Sequence, residues 1–367
     1  MSRIHLVVLY GGQSAEHEVS CVTASHVLAA IDTSRYRVTP VGISTTGEWA
    51  LGEAAQAALA AGPGALPDRL DTAGPSVSAS DIMATAPRTA VGADDEEVTV
   101  VLPLLHGPMG EDGTVQGLLE LGNVAYAGSG VLGSALAMDK AMAKQVLGAN
   151  GIAQARYQAF RESNLTPGLP GQLADELGLP CFVKPSNMGS SVGVTKAHSV
   201  EELRDAIEHA LTYDEWVVAE EAIVGREIEV AVLGNSAPEA SVPGEIVPGE
   251  EFYSYEDKYV TDGAQLVIPA PLSADDTDTV RSLALDVFRA LRCEGLARID
   301  FFLEEARSDG PGRGFLCNEA NTMPGFTPIS MYPKLWQASG VSYPELINRL
   351  VDLALERKER RRRNVKH

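Results

Sequence analysis

The chain has 367 residues, with 50 Asp and Glu against 29 Lys and Arg and a net charge of −21. Hydrophobic residues make up 45% and charged residues 22%, an ordinary globular composition whose length suits two or three domains. The acidic balance tells against a nucleic-acid binder, which would present a basic face, but lysines and a divalent cation can still reverse the field inside a cleft.

The first apolar run, IHLVVLY, reads as a buried strand, Gly11-Gly12 as a tight turn, and Ser14 to Ile31 as a helix. The run is too short for a signal-peptide core, and no stretch approaches the roughly 20 apolar residues of a membrane span. YRVTPVGI reads as a second strand. Residues 51–95, rich in Ala, Gly, Pro and Ser with little periodicity, read as a loosely structured insertion. EVTVVLPLLHG is another strand, ending at the loop GPMGEDGTVQG. Repeated strand, glycine loop and helix predict an α/β domain with a parallel sheet. Ligands bind beyond the carboxyl ends of such strands, where Glu16, His106 and Glu111 would lie.

A helix is expected from Leu132 to Ala149, then a strand LPCFVKP, a helix from Val200 to Leu211 and a strand EWVVAEE. The remainder is mostly β, with REIEVAVLG, a strand over Val242–Val247, a long loop GEEFYSYEDKYVTDGAQLVIPA, and a helix from Asp275 to Leu291 before GLARIDFFLEE and GFLCNEANTMPG. Boundaries fall near 135 and 225. They divide an N-terminal α/β domain from a central lobe and a C-terminal lobe. Cys21, Cys181, Cys293 and Cys317 are scattered, with no CxxC spacing, and read as buried apolar residues of a reduced, cytoplasmic compartment.

Chemistry concentrates late in the chain. LARIDFF places Arg298 and Asp300 on one face, and CNEANT places Glu319 and Asn321 on one face. An antiparallel hairpin, turning within Glu304 to Gly314, would bring all four together. Carboxylate and amide oxygens there suit Mg2+ or Mn2+ with a phosphate completing the shell, and the arginine suits developing negative charge. An ordinary solvated Arg–Asp pair is the plainer reading. PSNMGSSVGV follows a strand, and its successive N–H groups would make an anion nest, with Lys140 and Lys184 as phosphate clamps; a plain hairpin turn is the alternative. No GxxxxGK[ST] occurs. GSGVLG at 128–133 matches GxGxxG but lacks the acidic residue about 20 positions later, so it reads as a helix-start loop.

SAEHEVS, LHGPMGEDGTVQG, MDK, VKPSNMGSSVGV, FYSYEDKY, RIDFF and NEANTMPGFT occur in this order. Together they resemble the D-alanine–D-alanine ligase family of the ATP-grasp superfamily, over nearly the whole chain except residues 51–95 and the C-terminal tail. The resemblance implies an N-terminal α/β domain followed by a two-lobed ATP-grasp fold, ATP as co-substrate, two Mg2+ or Mn2+ per site and a homodimer. It assigns Lys140, Lys184 and Lys258 to the phosphates, Glu220 to the adenine amino group, Glu227 to the ribose, and Ser191, Glu221 and Ile223 to further nucleotide contacts. Asp300, Glu319 and Asn321 become metal ligands, and Arg298 with the Gly325 N–H the oxyanion site. Glu16, linked through Ser190 to Tyr259, would hold the first substrate's ammonium; a first-turn glutamate favoured by the helix dipole is the alternative. Ser330 and Met331 match the second carboxylate's site, and His106 a substrate contact.

Tyr259 favours an amine acceptor, since relatives making D-alanyl-D-lactate depart from the tyrosine-bearing loop. A ligase with a D-lactate or other acceptor, and a nucleotide-binding regulatory module without turnover, stay open as alternatives. The tail ERKERRRRNVKH reads as a frayed cationic helix end.

Overall fold

The computed structural model describes residues 4–84, 98–248, 265–307 and 310–362. The first strand, β1 (Ile4–Gly11), is apolar at nearly every position because both its faces are covered. Leu6, Val8 and Tyr10 enter one core and Val7 and Leu9 another. It is followed by α1 (His17–Ala30), β2 (Tyr36–Ile43), β3 (Trp49–Leu51), α2 (Glu53–Ala61), α3 (Ala79–Ala84), β4 (Thr99–Pro103), α4 (Thr114–Leu121) and β5 (Ala125–Tyr126). The sheet order is β3-β2-β1-β4-β5, parallel throughout except for β2–β3. Strand order reverses direction at β1 and β4, and the loops beyond their carboxyl ends carry Glu16, His106 and Glu111, as expected.

The first part of the presumed insertion corrects the sequence reading. Its alanines form α2, since alanine is the best helix former, and α2 buries Ala55. Leu70 is buried, and the Asp71 carbonyl accepts a hydrogen bond from the Tyr10 hydroxyl at 2.7 Å. Residues 85–95 lie outside the described part.

The single helix expected at 132–149 is two, α5 (Val131–Met138) and α6 (Lys140–Ala149). Asp139 separates them and caps α6, its carboxylate accepting the Met142 N–H at 2.9 Å. The GxGxxG decoy is the loop into α5. A Cβ at Gly133 would lie 2.5 Å from the Arg292 carbonyl oxygen, so that glycine serves close packing.

Next come β6 (Tyr157–Arg161), α7 (Leu169–Leu177), β7 (Cys181–Pro185), β8 (Thr195–Ala197), α8 (Val200–Leu211) and β9 (Trp216–Glu221). They form an antiparallel sheet ordered β6-β9-β7-β8. Cys181 and Val183 of β7 pack with Leu173 of α7 and Leu203 and Ile207 of α8, which turns Phe182 and Lys184 to the opposite face.

The third sheet contains β10 (Arg226–Gly234), β11 (Glu239–Ala240), β12 (Gly244–Val247) and β13 (Gln265–Val267); α9 (Ala274–Ala290) leads to β14 (Gly295–Arg307) and β15 (Gly310–Asn321). Its order is β13-β12-β10-β14-β15, with β11 paired to β10. Val280, Ala284, Val287 and Phe288 of α9 pack against Val230, Ile299 and Phe301. The loop expected at 304–314 is shorter than read, because both strands run into it. The chain closes with α10 (Met331–Ala338) and α11 (Tyr343–Arg361).

The basic tail was misread as frayed. Arg357 is buried, donates to the carbonyls of Tyr126 (2.8 Å) and Gly128, and lies 3.9 Å from the Tyr126 ring centroid. Arg360 and Arg361 pair with Glu294, and Arg361 also with Glu120. The arginines therefore clamp the last helix to the first sheet. Residues 363–367 lie outside the described part. Among the described residues no helix is long and apolar enough to cross a membrane.

Candidate active site

The β14–β15 hairpin brings together the four residues that the spacing singled out. Arg298 pairs with Asn321 and Asp300 with Glu319 across the ladder. Strict alternation would place Cys317 on the same face as Glu319, yet Cys317 is in the core with Phe301 and Phe315. A β-bulge resolves this. The register shifts between Asp300 and Phe301, Asn318 is the extra residue, and the strand changes face. Burial pushes the Cys317 thiol up to about 12, as an inert core group requires.

Arg298 donates from Nε and Nη2 to the two Asp300 oxygens at 2.8 and 2.7 Å, and its Nε lies 3.0 Å from Glu229 Oε2 on β10. These carboxylates hold the guanidinium's pKa well above its usual value against the opposing effect of burial. Asn321 Oδ1 accepts the Met323 N–H at 3.0 Å, which fixes the amide at the start of the MPG turn. Among the described residues no three His, Cys, Asp or Glu side chains form a metal cage by themselves. Two carboxylates and an amide are an oxygen donor set for a hard cation whose other ligands come from phosphate and water.

The lysines face this hairpin from the central sheet. Lys184 Nζ donates to Glu220 Oε2 at 3.0 Å and to the amide oxygen of Asn318 at 3.4 Å, so the bulged residue reaches across to β7. Burial disfavours its charge, but Glu220 and Glu319 outweigh that and raise its pKa. Lys140, at the start of α6, donates from Nζ to the Met188 carbonyl of the glycine-rich loop, and burial lowers its pKa. Burial also works against the charge of Glu220, yet Lys144 and Lys184 bring its carboxyl down to about 2. Glu227 is half-buried on β10 and Ile223 half-buried in the link before it. The Glu221 carboxylate is committed to Arg156 (2.8 Å) and Arg313 (2.6 Å), so this side chain ties the central sheet to β15.

The glycine-rich loop meets the first domain at Glu16. This residue stands at the start of α1, but its side chain does not cap the helix; it accepts the Ser190 hydroxyl hydrogen instead. Ser190 and Ser191 have left-handed φ of 50° and 59°, a costly conformation for serine that turns successive N–H groups into a concave loop. A Cβ on Gly189 would lie 3.1 Å from Glu16 Oε2, close enough to press on that carboxylate. Glu111 is buried close by and accepts the Gly107 N–H at 2.6 Å; burial, and then the Glu16 charge, raise its carboxyl well above the usual range. His106 Nδ1 donates to the Met323 carbonyl at 3.0 Å, and its buried Nε2 has no hydrogen-bond partner among the described residues.

Gly325 and Ser330 lie in the loop between β15 and α10, where Ser330 Oγ bonds Thr327 Oγ1 at 2.8 Å. The Met331 side chain is core, but its N–H opens α10 and has no partner within the helix. Lys258 and Tyr259 lie outside the described residues. Three polar residues of the cluster escaped the sequence reading: Lys144, Glu229 and Asn318. Signals existed for the first two, since Lys144 repeats Lys140 at one helical turn and Glu229 repeats Glu227 at the strand period. None existed for the bulge.

Residues 5–129 match the family model described as D-ala D-ala ligase N-terminus, and residues 146–352 the one described as D-ala D-ala ligase C-terminus. A D-alanine–D-alanine ligase of Bacillus pumilus is 47% identical over 358 residues, which is 97% of each chain. The structure of the D-alanine-D-alanine ligase from Coxiella burnetii aligns with a TM-score of 0.80 at 34% identity, over 100% of this chain and 97% of that one. The VanG D-Ala:D-Ser ligase from Enterococcus faecalis aligns with a TM-score of 0.78 at 32% identity, over 96% of this chain and 100% of that one.

Proposed function

The chain belongs to the D-alanine–D-alanine ligase family, and from that premise we infer that it joins two D-alanines into a dipeptide for peptidoglycan precursors, converting ATP to ADP and phosphate. The observation that carries the chemistry is the convergence of Arg298, Asp300, Glu319 and Asn321 on one face, opposite Lys184.

ATP lies between the central and C-terminal sheets, its phosphates against Lys140, Lys184 and the Ser190–Ser191 loop, its adenine amino group at Glu220 and its ribose at Glu227. Asp300, Glu319 and Asn321 would hold the divalent cations, two by family resemblance, and bound cations would supply positive charge to offset the repulsion between the triphosphate and the attacking carboxylate. Glu16 holds the ammonium of the first D-alanine, oriented by Ser190. A carboxylate oxygen of this substrate attacks the γ-phosphorus, ADP leaves, and an acyl phosphate forms. The amine of the second D-alanine, its carboxylate at Ser330 Oγ and the Met331 N–H, attacks the acyl carbon. Arg298 and the Gly325 N–H stabilise the tetrahedral oxygen, and phosphate departs. His106 is a substrate contact on this reading, its Nε2 having no hydrogen-bond partner among the described residues.

Work on cytoplasmic ATP, and four buried free cysteines, suit a cytoplasmic protein. The homodimer rests on resemblance and is checked by sedimentation. D-alanine labelled with 18O in its carboxylate tests the reaction order, since attack on phosphorus carries one label into the released phosphate. Unlabelled phosphate would exclude the acyl phosphate. The likeness to a D-Ala:D-Ser ligase keeps a hydroxylated acceptor as the second reading.

A further inference from the structure

Lys144 is among the most buried cations of the molecule, 3% exposed, and has no part in the chemistry above. It lies one turn after Lys140 on α6. Its ammonium is 3.2 Å from Glu220 Oε1 and 5.2 Å from the Tyr157 ring centroid. The other oxygen of the same carboxylate holds Lys184 at 3.0 Å. One buried glutamate is thus shared by two lysines from two elements, α6 and β7.

The two lysines are not equivalent. Lys184 is 14% exposed and already touches a second station, the Asn318 amide on β15 beside the phosphate cleft. Lys144 is closed in by Glu220 and the Tyr157 ring and reaches no such station. A triphosphate in the cleft therefore draws Lys184 and leaves Lys144 where it is. Without Lys144, Glu220 would then be a buried carboxylate with no cation, and such a group takes up a proton or swings out. A protonated carboxyl competes poorly as acceptor for an amino hydrogen.

Resting on the nucleotide reading of Glu220, we propose that Lys144 is a positioning residue for ATP: it keeps Glu220 ionised and aimed at the adenine amino group while Lys184 turns to the phosphates. Lys144 acts through Glu220 and touches neither substrate. The groups facing Glu220 are Lys144 from α6, Lys184 from β7, Tyr157 from β6 and the buried thiol of Cys317 from β15, with Lys140 at longer range. Removing Lys144 leaves Lys184 alone to oppose desolvation, so the proton affinity of Glu220 rises.

The test uses the full chain with Lys144→Met, Lys144→Arg, Glu220→Gln and the Met/Gln double variant, each checked for folding by circular dichroism. ADP binding is titrated by calorimetry between pH 5.5 and 8.5, beside KM for ATP and for D-alanine. The expected result for Lys144→Met is a loss of ADP affinity of roughly 10- to 100-fold, the usual scale for an outer-shell partner, with KM for D-alanine unchanged. That variant also gains a pH dependence absent from the parent, its affinity falling as pH falls. Lys144→Arg restores most of the affinity, and Lys144→Met costs nothing further in the Glu220→Gln background. ADP affinity unchanged in folded Lys144→Met, or an equal further loss in the Glu220→Gln background, overturns the proposal. Failure of the ligase reading shows separately, as absence of D-alanine-dependent ADP release from the unsubstituted chain, and leaves the ADP titration intact.

Discussion

Ser190 donates its hydroxyl hydrogen to the carboxylate of Glu16, a residue 174 positions earlier in the chain. The contact joins the glycine-rich loop, proposed to cover the phosphates, to the acid proposed to receive the first substrate. Ser190 makes it in a left-handed conformation that costs a serine about 1 kcal/mol or more, so the surrounding structure enforces the geometry. On the proposed reading, the Ser190 side chain orients the acid for the first D-alanine from within the glycine-rich loop.

Ser190→Ala removes a hydrogen bond to a charged group, worth about 1.5–3 kcal/mol. Initial-rate kinetics should show kcat/KM for D-alanine lower by roughly 10- to 100-fold, with KM for ATP little changed. A change confined to ATP would contradict the link to the first substrate.

Glu319→Gln keeps the shape of the side chain and removes one anionic group from the proposed cation site. Turnover should fall by about 100-fold or more, with the melting temperature close to that of the parent. Near-normal ADP release in this variant would remove the hairpin from the metal site.

Glu111 carries a raised carboxyl, so the folded state binds its proton more tightly than the unfolded chain does. The sign follows from linkage: this group costs stability once pH rises above the ordinary carboxyl range, and the cost grows until its folded pKa is reached. Glu111→Gln keeps the acceptor for the Gly107 N–H without the charge. Melting curves should show the variant gaining on the parent as pH goes from 5 to 8. A difference independent of pH would mean that Glu111 is ionised in the fold.

Arg357→Met leaves the carbonyls of Tyr126 and Gly128 without their donor and strips the cation from the Tyr126 ring. The expected loss is about 2–4 kcal/mol, visible as a melting temperature lower by several degrees, with kcat at 25 °C nearly unchanged. An unchanged melting temperature would return the segment to the status of a frayed end.

Most of this architecture was legible in the sequence. IHLVVLY and YRVTPVGI are apolar because strands covered on both faces must be, and the spacing of Arg298, Asp300, Glu319 and Asn321 announced one polar face. The misreadings have physical causes. An alanine-rich stretch lacks hydrophobic contrast, so α2 left no periodicity to detect. The basic tail shows its charge but not its partners, because Glu120 and Glu294 are brought to α11 only by the fold. The bulge at Asn318 has no composition signal, since it depends on which side of the ladder Cys317 must pack. The side chain of Glu221, by contrast, is taken by two arginines that only the fold brings to it.

The central claim is best tested by incubating the purified protein with ATP and Mg2+ and following ADP release with D-alanine, with L-alanine, and with D-alanine plus D-serine or D-lactate, identifying products by mass. D-alanine alone should support ADP release with D-alanyl-D-alanine as product, L-alanine should not, and the dipeptide should dominate in the mixtures. A D-alanyl-D-serine or D-alanyl-D-lactate product in preference to the dipeptide, or no ADP release with D-alanine, would contradict the assignment.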